Sequence, residues 1–427
     1  MVGTQPITIQ QAIELALRNN SQLRQAQFEL EQSQAALRET QAAALPTVDA
    51  TAGFNQIGRE QTTFPQNPLT GETGDAEVIY TDSTALGADL EVRYPIYTSG
   101  RIPALLRASR GQIRLRQLEV ERQTEQLILD TSLDYYDLQQ ASAQVKIFTA
   151  NLAQSERSLQ DAQALERAGV GTRFDVLQAE VDVANARQEL TQQLSQLDIA
   201  RRQLAQRLNV AQTVNLEAAD TVEVAGVWDL SLGESIVQAY KNRAELEQQL
   251  IQREIAQDQR RAALAQLGPQ VSFIGGFGLD NDLDRDPGFI YNYRLGLNVQ
   301  MSLYDGGLAR AQADQRESDI SIAEAEFENI RDQIRFQVEQ AYSQLDANFA
   351  NIQTTALAVE QAAEALRLAR LRFQAGVGTQ TDVLRQQTAL AQSQVNNIRA
   401  ILDYNRAITQ LQRQISNYPE GFLNEQP

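Results

Sequence analysis

The stretch AGVGTRFDVLQ at residues 168–178 returns as AGVGTQTDVLR at residues 375–385. A chain of 427 residues that writes one glycine-rich turn twice, each time between long polar segments, reads as an internal tandem duplication. Two registers hold along the chain. At an offset of 223, Ile7–Phe54 falls on Leu230–Phe277, bringing Pro46 onto Pro269 and Gly53 onto Gly276. At an offset of 207, Tyr97 falls on Tyr304, Gly100 on Gly307 and Tyr135 on Tyr342. The offsets differ by 16 residues, so the first half carries that excess between Phe54 and Tyr97, where FPQNPLTGETGD reads as an exposed loop.

Each half predicts helix, strand, loop, strand, long helix, glycine turn, helix. The first repeat takes residues 1–214: a helix over about 8–45, strands near 46–56 and 86–97, a helix over 101–167, the turn at 168–172 and a helix over 173–209. A linker at 215–229, β-branched and broken by Gly226, forms a small mid-height equatorial region. The second repeat takes 230–415: a helix over 231–267, strands near 270–279 and 291–304, a helix over 308–373, the turn at 375–379 and a helix over 380–415. Residues 416–427 are a C-terminal tail. At 1.5 Å per residue, the helix over 101–167 spans about 100 Å, and the helices over 173–209 and 231–267 reach about 110 Å end to end, so two short helices match one long one. Apolar residues step by four and three along these segments, as at Leu190, Leu194, Leu197, Leu204 and Leu208, with Arg201 interrupting, and at Ala391, Val395, Ile398 and Leu402. That seam suits coiled-coil packing and an ordinary bundle core equally well.

The strands alternate strictly. LGADLEVRYPIY puts Leu86, Ala88, Leu90, Val92, Tyr94 and Ile96 on one face and Gly87, Asp89, Glu91, Arg93 and Pro95 on the other. RLGLNVQMSLY alternates Leu295, Leu297, Val299, Met301 and Leu303 with Arg294, Gly296, Asn298, Gln300 and Ser302. Val48, Ala50, Ala52 and Phe54 share one face of a third segment, and Val271, Phe273 and Phe277 one face of a fourth. Any one strand fits a half-buried sheet in water. Four together, with Tyr80, Tyr94, Tyr97, Phe289, Tyr291, Tyr293 and Tyr304 near their ends, match transmembrane β-strands with aromatic girdles and a polar lumen. Four strands leave open edges that lipid does not tolerate, so such a chain must oligomerise.

Charge and residue usage exclude other classes. With 37 Lys plus Arg against 55 Asp plus Glu, the formal charge of -18 repels phosphate backbones and argues against nucleic acid as partner. The sequence has no Cys and no His, so thiolate metal sites and Ser/His or Cys/His catalysis lack their residues, and no enzyme activity or cofactor is expected. No run of 18 apolar residues makes a transmembrane helix. MVGTQPITIQQ lacks the regions of a secretory leader, which leaves a cytoplasmic chain or one whose leader has been trimmed.

Two tandem halves of the form ITIQQAIELALRNNSQL, AALPTVDATAGF, YPIYTSGRIPALL and AGVGTRFDVLQAE resemble the TolC-type outer membrane efflux protein family, over about Ile7 to Ile415. The resemblance implies an α+β membrane protein: a homotrimer in which each chain gives four strands to one twelve-stranded transmembrane β-barrel, continued by a twelve-helix α-helical barrel through the periplasm. It implies export of drugs, small molecules or proteins, in complex with a periplasmic adaptor and an inner-membrane transporter of the RND, ABC or MFS type, within outer membrane lipid. A trimeric helical structural stalk and a secreted pore-forming protein are the alternatives.

Physically, AGVGTRFD reads as a helix reversal: Gly169 and Gly171 take left-handed backbone angles, and Thr172 with Asp175 caps the next helix. Gly376, Gly378, Thr379 and Asp382 repeat the arrangement. The resemblance adds that Gly169, Val170, Gly171 and Thr172, with Gly376, Val377, Gly378 and Thr379, dock the adaptor. It also makes Asp175, Asp382, Arg173 and Arg385 candidates for the periplasmic gate and selectivity, with Arg385 standing where a second carboxylate is expected after Asp382. A bulky residue at Gly378 is expected to abolish efflux while sparing trimer assembly. No metal-handling relay is suggested by a chain with two Met and neither His nor Cys.

Overall fold

The computed structural model describes residues 4–417 apart from 67, 69, 70, 72 and 285, and not the side chains of 286 and 287; residues 418–427 of the expected tail lie outside the described residues. The elements run β1 (Thr4–Ile7), α1 (Ile9–Asn19), α2 (Ser21–Ala42), β2 (Thr47–Thr63), β3 (Glu77–Tyr97), α3 (Arg101–Arg167), α4 (Arg173–Arg207), β4 (Asn215–Ala218), α5 (Leu232–Asn242), α6 (Ala244–Leu264), a short 3₁₀ turn, β5 (Gln270–Asp282), β6 (Asp286–Gln300), α7 (Leu308–Gln374) and α8 (Gln380–Gln414). They divide into two compact units: Met1–Leu30, Arg116–Gln249 and Ala325–Pro427 form one, and Glu31–Leu115 with Leu250–Glu324 the other.

The first unit holds its core where helices meet a two-stranded parallel sheet, β1 on β4, with Ile7 opposite Ala218. Ile7, Ala12, Tyr135, Leu138, Leu204, Leu208 and Leu216 are buried together there. The segment after β4 is strapped down by side chains. Asp220 accepts from the Tyr135 hydroxyl at 2.7 Å and from the Ile9 amide at 2.9 Å, and the Tyr404 hydroxyl donates to the Gly226 carbonyl at 2.9 Å. An extended segment outside the ladder is thereby given partners for its polar groups.

Where one helix is expected over 8–45 the chain makes two, and likewise over 231–267. Asn20 turns extended with ψ 130, and its side-chain oxygen accepts from the Gln22 and Leu23 amides at 2.8 and 3.1 Å, capping α2 instead of continuing α1. Arg243, with ψ 122, breaks the second. Its guanidinium is drawn into a buried ion group, donating to Glu245 at 2.7 Å, Gln337 at 2.6 Å and Gln414 at 2.9 Å. Arg413 joins Glu245 at 3.0 Å and Glu125 at 3.1 Å in the same group. Burial pushes the Glu125 carboxyl up to about 7 against the pull of Arg413. Burial also opposes ionisation of Glu245, but Arg243 and Arg413 hold it down to about 2.

The second unit carries a four-stranded antiparallel sheet in the order β2-β3-β5-β6. Leu90 lies opposite Ala50 on one side and Phe277 on the other, and Phe277 lies opposite Tyr293. Directly opposed residues share a face, so these rows make one apolar surface and the intervening rows one polar surface. The strands are longer than the alternation indicates: apolar alternation stops at Phe54 and Leu86, but the β2–β3 ladder continues to Thr63 opposite Glu77. The ladder is a backbone property and needs no apolar face to propagate. Strand β6 ends at Gln300, not 304, because Gln300 pairs with Gln270, the first residue of β5, and nothing remains for Met301–Tyr304 to pair with.

Candidate functional site: hairpin tips and sheet face

Both glycine turns are closed by backbone bonds back to the last turn of the long helix. The Val170 and Gly171 amides donate to the Leu165 carbonyl at 3.1 and 3.0 Å, and the Val377 amide donates to Arg372 at 3.0 Å. Gly169 at φ 76 and Gly376 at φ 74 carry the left-handed step that ends each long helix. Gly171 and Gly378, expected to do the same, do not: they are glycine for space. A Cβ on Gly171 would lie 2.9 Å from the Glu166 nitrogen, and one on Gly378 3.0 Å from the Arg372 Cβ and 3.1 Å from its carbonyl carbon. The chain folds back against its own last turn too closely for a side chain.

The next helix then starts on a capping box in each copy. Thr172 accepts from the Asp175 amide at 3.2 Å while the Asp175 carboxylate accepts from the Thr172 hydroxyl at 2.6 Å and amide at 3.1 Å. Thr379 and Asp382 repeat this at 3.1, 2.7 and 3.2 Å. The Thr379 hydroxyl and amide, helped by Arg372 and Arg385, hold the Asp382 carboxyl below the usual range. Asp382 is therefore an exposed anion whose one oxygen is occupied by the cap.

Behind the tips the two hairpins are tied together. Val176 and Ala179 bury against Ala162, and Val383 and Leu384 are buried on α8. Gln387 donates to Ser155 at 2.9 Å and to the Asn151 side chain at 3.1 Å, and Thr381 donates to Gln178 at 3.2 Å. What faces outward is small and apolar: Val170 is 75% and Val377 70% exposed, with Phe174 beside them at 69%. Of the gate candidates, Arg173 reaches Glu166 across its own turn at 4.0 Å, and Arg385 is exposed beside Asp382. Among the described residues no ion pair joins either arginine to the other hairpin. The ties Gln387, Ser155, Gln178 and Thr381 and the exposed Phe174 escape motif reading. Phe174 did carry a signal: it is the one aromatic in TRFDVLQ, where the second copy TQTDVLR has Thr381.

On the sheet, Leu90, Phe277, Tyr293, Leu295 and Val299 of the apolar face are exposed, Leu295 to 73%. On the polar face, Arg294 reaches over Gly276 to Glu91 at 2.6 Å, and Glu91 also pairs with Arg93 at 2.8 Å. A Cβ at position 276 would sit 2.9 Å from the Arg294 Nε, so this glycine clears the path of a charge crossing from β6 to β3. Strands β2 and β6 each keep one unpaired edge.

An apolar sheet face, a charged opposite face and two capped helical hairpins stand in one chain, and the outer membrane efflux protein family model matches it over residues 12–210 and 235–416. The chain belongs to the outer membrane efflux protein family. Members of that family are channels of the outer membrane and not enzymes. Among similar proteins, the proteases secretion protein PrtF of Dickeya chrysanthemi is 24% identical over 190 residues, covering 44% of this chain and 38% of that protein. The outer membrane efflux protein BepC of Brucella suis is 25% identical over 273 residues, covering 63% of this chain and 58% of that protein. The chain thus spans less than two thirds of the length of either relative. The crystal structure of a membrane protein from Pseudomonas aeruginosa shares the fold at a TM-score of 0.79 and 21% identity, over 95% of this chain and 93% of that one.

Proposed function

We propose that three copies of this efflux-family chain close one twelve-stranded barrel in the outer membrane, continued by a twelve-helix tunnel through the periplasm, and that the assembly exports small molecules or proteins. The observation that carries this is the sheet: its apolar face is bare and both its edges are open, and in lipid every backbone group must be paired. Head-to-tail joining of β6 to the next copy's β2 satisfies both edges, and four strands per chain reach twelve in a three-fold ring. The 67-residue helices α3 and α7 supply the tunnel wall.

The hairpin tips are the docking end. Gly169, Val170, Gly171 and Thr172, with Gly376, Val377, Gly378 and Thr379, offer a small apolar surface to the helical tip of a periplasmic adaptor, which links the channel to an inner-membrane transporter of the RND, ABC or MFS type. Asp175, Asp382, Arg173 and Arg385 set the charge around the aperture. The names of PrtF and BepC support protein secretion and efflux as the two cargo classes.

Purified trimer in a planar bilayer is expected to conduct in discrete steps and, given the chain's charge of -18, to show a reversal potential on the cation side. Silent membranes would contradict the channel, and an anion-side potential would contradict the charge argument.

A further inference from the structure

We propose that the two junctions where a strand hands over to a long helix, at Tyr97–Arg101 and Tyr304–Arg310, form a belt that binds the phosphate headgroups of anionic phospholipids in the periplasmic leaflet. This rests on the membrane-barrel reading above, which places these strand ends at the periplasmic surface of the bilayer.

Three observations build the belt. At the base of β3 the register shifts between Pro95 and Tyr97, so that Tyr97 lies opposite Val271, which itself pairs with Val299. The bulge turns Tyr97 into the apolar rows. Past β6 the alternation runs on through Met301 and Leu303 without a ladder, and Leu303 is 90% and Tyr304 86% exposed. Such groups in water would be expected to fold under, but here the turn is locked. Asp305 accepts from the Gly307 and Ala309 amides at 2.9 and 2.8 Å. On the other junction the Ser99 hydroxyl donates to the Pro269 carbonyl at 2.7 Å and Thr98 accepts from the Ile102 amide at 3.3 Å.

The third observation is charge. Arg101 opens α3 and Arg310 lies in the first turn of α7, each a few residues beyond its tyrosine. Among the described residues neither makes an ion pair; Arg310 acts on Asp305 electrostatically, but that carboxylate is already engaged by two amides. The first 15 residues of α3, RIPALLRASRGQIRL, hold four arginines and no acid, in a chain of net charge -18. Of the four, Arg107 is taken by Asp258 at 2.9 Å, and Arg114 is engaged as well, so the belt rests on Arg101 and Arg310. Reading outward from the sheet, the order is aliphatic, tyrosine, arginine, the order of acyl chain, glycerol and phosphate in a leaflet. The planar guanidinium suits a phosphodiester oxygen pair. Inorganic phosphate shares that chemistry but has no chains to lie on Leu303 and Tyr304.

The test is native mass spectrometry of the detergent-solubilised full chain, titrated with phosphatidylglycerol, phosphatidylcholine of the same acyl chains, or inorganic phosphate. Wild type is expected to retain phosphatidylglycerol about tenfold better than phosphatidylcholine, and the double variant Arg101→Gln, Arg310→Gln to lose that preference while still forming conducting trimers. Conducting wild-type trimers that bind both lipids equally, or a double variant that keeps the preference, would overturn the belt alone. Competition by inorganic phosphate at equal concentration would overturn the lipid as ligand. Failure of the wild type to form trimers or conduct would overturn the barrel reading, and the belt with it.

Discussion

The Leu90→Arg variant is expected to accumulate in the periplasm and to be absent from the outer membrane. Leu90 sits in the middle of the apolar rows, between Ala50 and Phe277, with Tyr293 beyond. An arginine on the lipid face of a transmembrane barrel costs roughly 2–4 kcal/mol near the bilayer midplane. Three-fold repetition applies that cost three times in one assembly, which is of the order of a folded protein's whole stability. Thr51→Arg is the control. Thr51 pairs with Asp89 on the polar face, so the same charge there meets water and a carboxylate and insertion is expected to survive. Fractionation of outer membranes with the two variants side by side checks this; equal insertion of both would mean that the apolar face is not the lipid face.

The second large effect concerns the tips. Val170→Asp combined with Val377→Asp is expected to bring the resistance of a complemented deletion strain down to that of the deletion itself, with the heat-sensitive trimer unchanged on gels. Both valine side chains point outward, and neither helps to close its turn: the bonds that do so come from backbone, the valine amides included, and from the Thr-Asp boxes. Gly378 is the less clean probe. A bulky residue there would strike the Arg372 and Phe373 backbone and reshape the turn, so loss of efflux would report both docking and distortion. Full resistance in the double aspartate variant would remove the tips from adaptor binding.

Much of the tips and of the sheet is legible in the sequence. The reversal and the caps were legible because Thr-x-x-Asp after a glycine pair is a local signal, satisfied by atoms three residues apart. The two faces of the sheet were legible from the period of two over Leu86 through Tyr94; past Pro95 a bulge breaks the alternation and sets Tyr97, not Ile96, opposite Val271. The helix breaks were not. At Asn20 a single side-chain oxygen diverts the backbone, and at Arg243 the cause is a buried ion group drawn from Glu125, Glu245, Gln337 and Arg413, residues far apart in the chain. The full length of β2 and β3 was hidden for another reason: beyond Phe54 the strict apolar/polar alternation ends, while the ladder continues on backbone pairing with cross-strand contacts such as Tyr80 to Glu60. At the turn itself, left-handed Gly169 and space-making Gly171 look identical in sequence. The ties between hairpins, Gln387 to Ser155 and Thr381 to Gln178, join positions more than 200 residues apart, which no local pattern predicts.

In the proposed channel β6 of one copy joins β2 of the next and the ring closes at three. Within one chain β2 and β6 are separated by β3 and β5, and at about 4.8 Å per strand they lie too far apart for a disulfide, whose Cα atoms must approach within about 7 Å. The chain has no cysteine of its own, so introduced thiols report without background. The measurement is oxidative cross-linking in native outer membranes of Ala50→Cys paired in turn with Tyr291→Cys, Tyr293→Cys and Leu295→Cys. At least one pair is expected to give a covalent ladder ending at the trimer; monomer alone in every pair, or a ladder running past three, would rule out a three-fold β6–β2 ring.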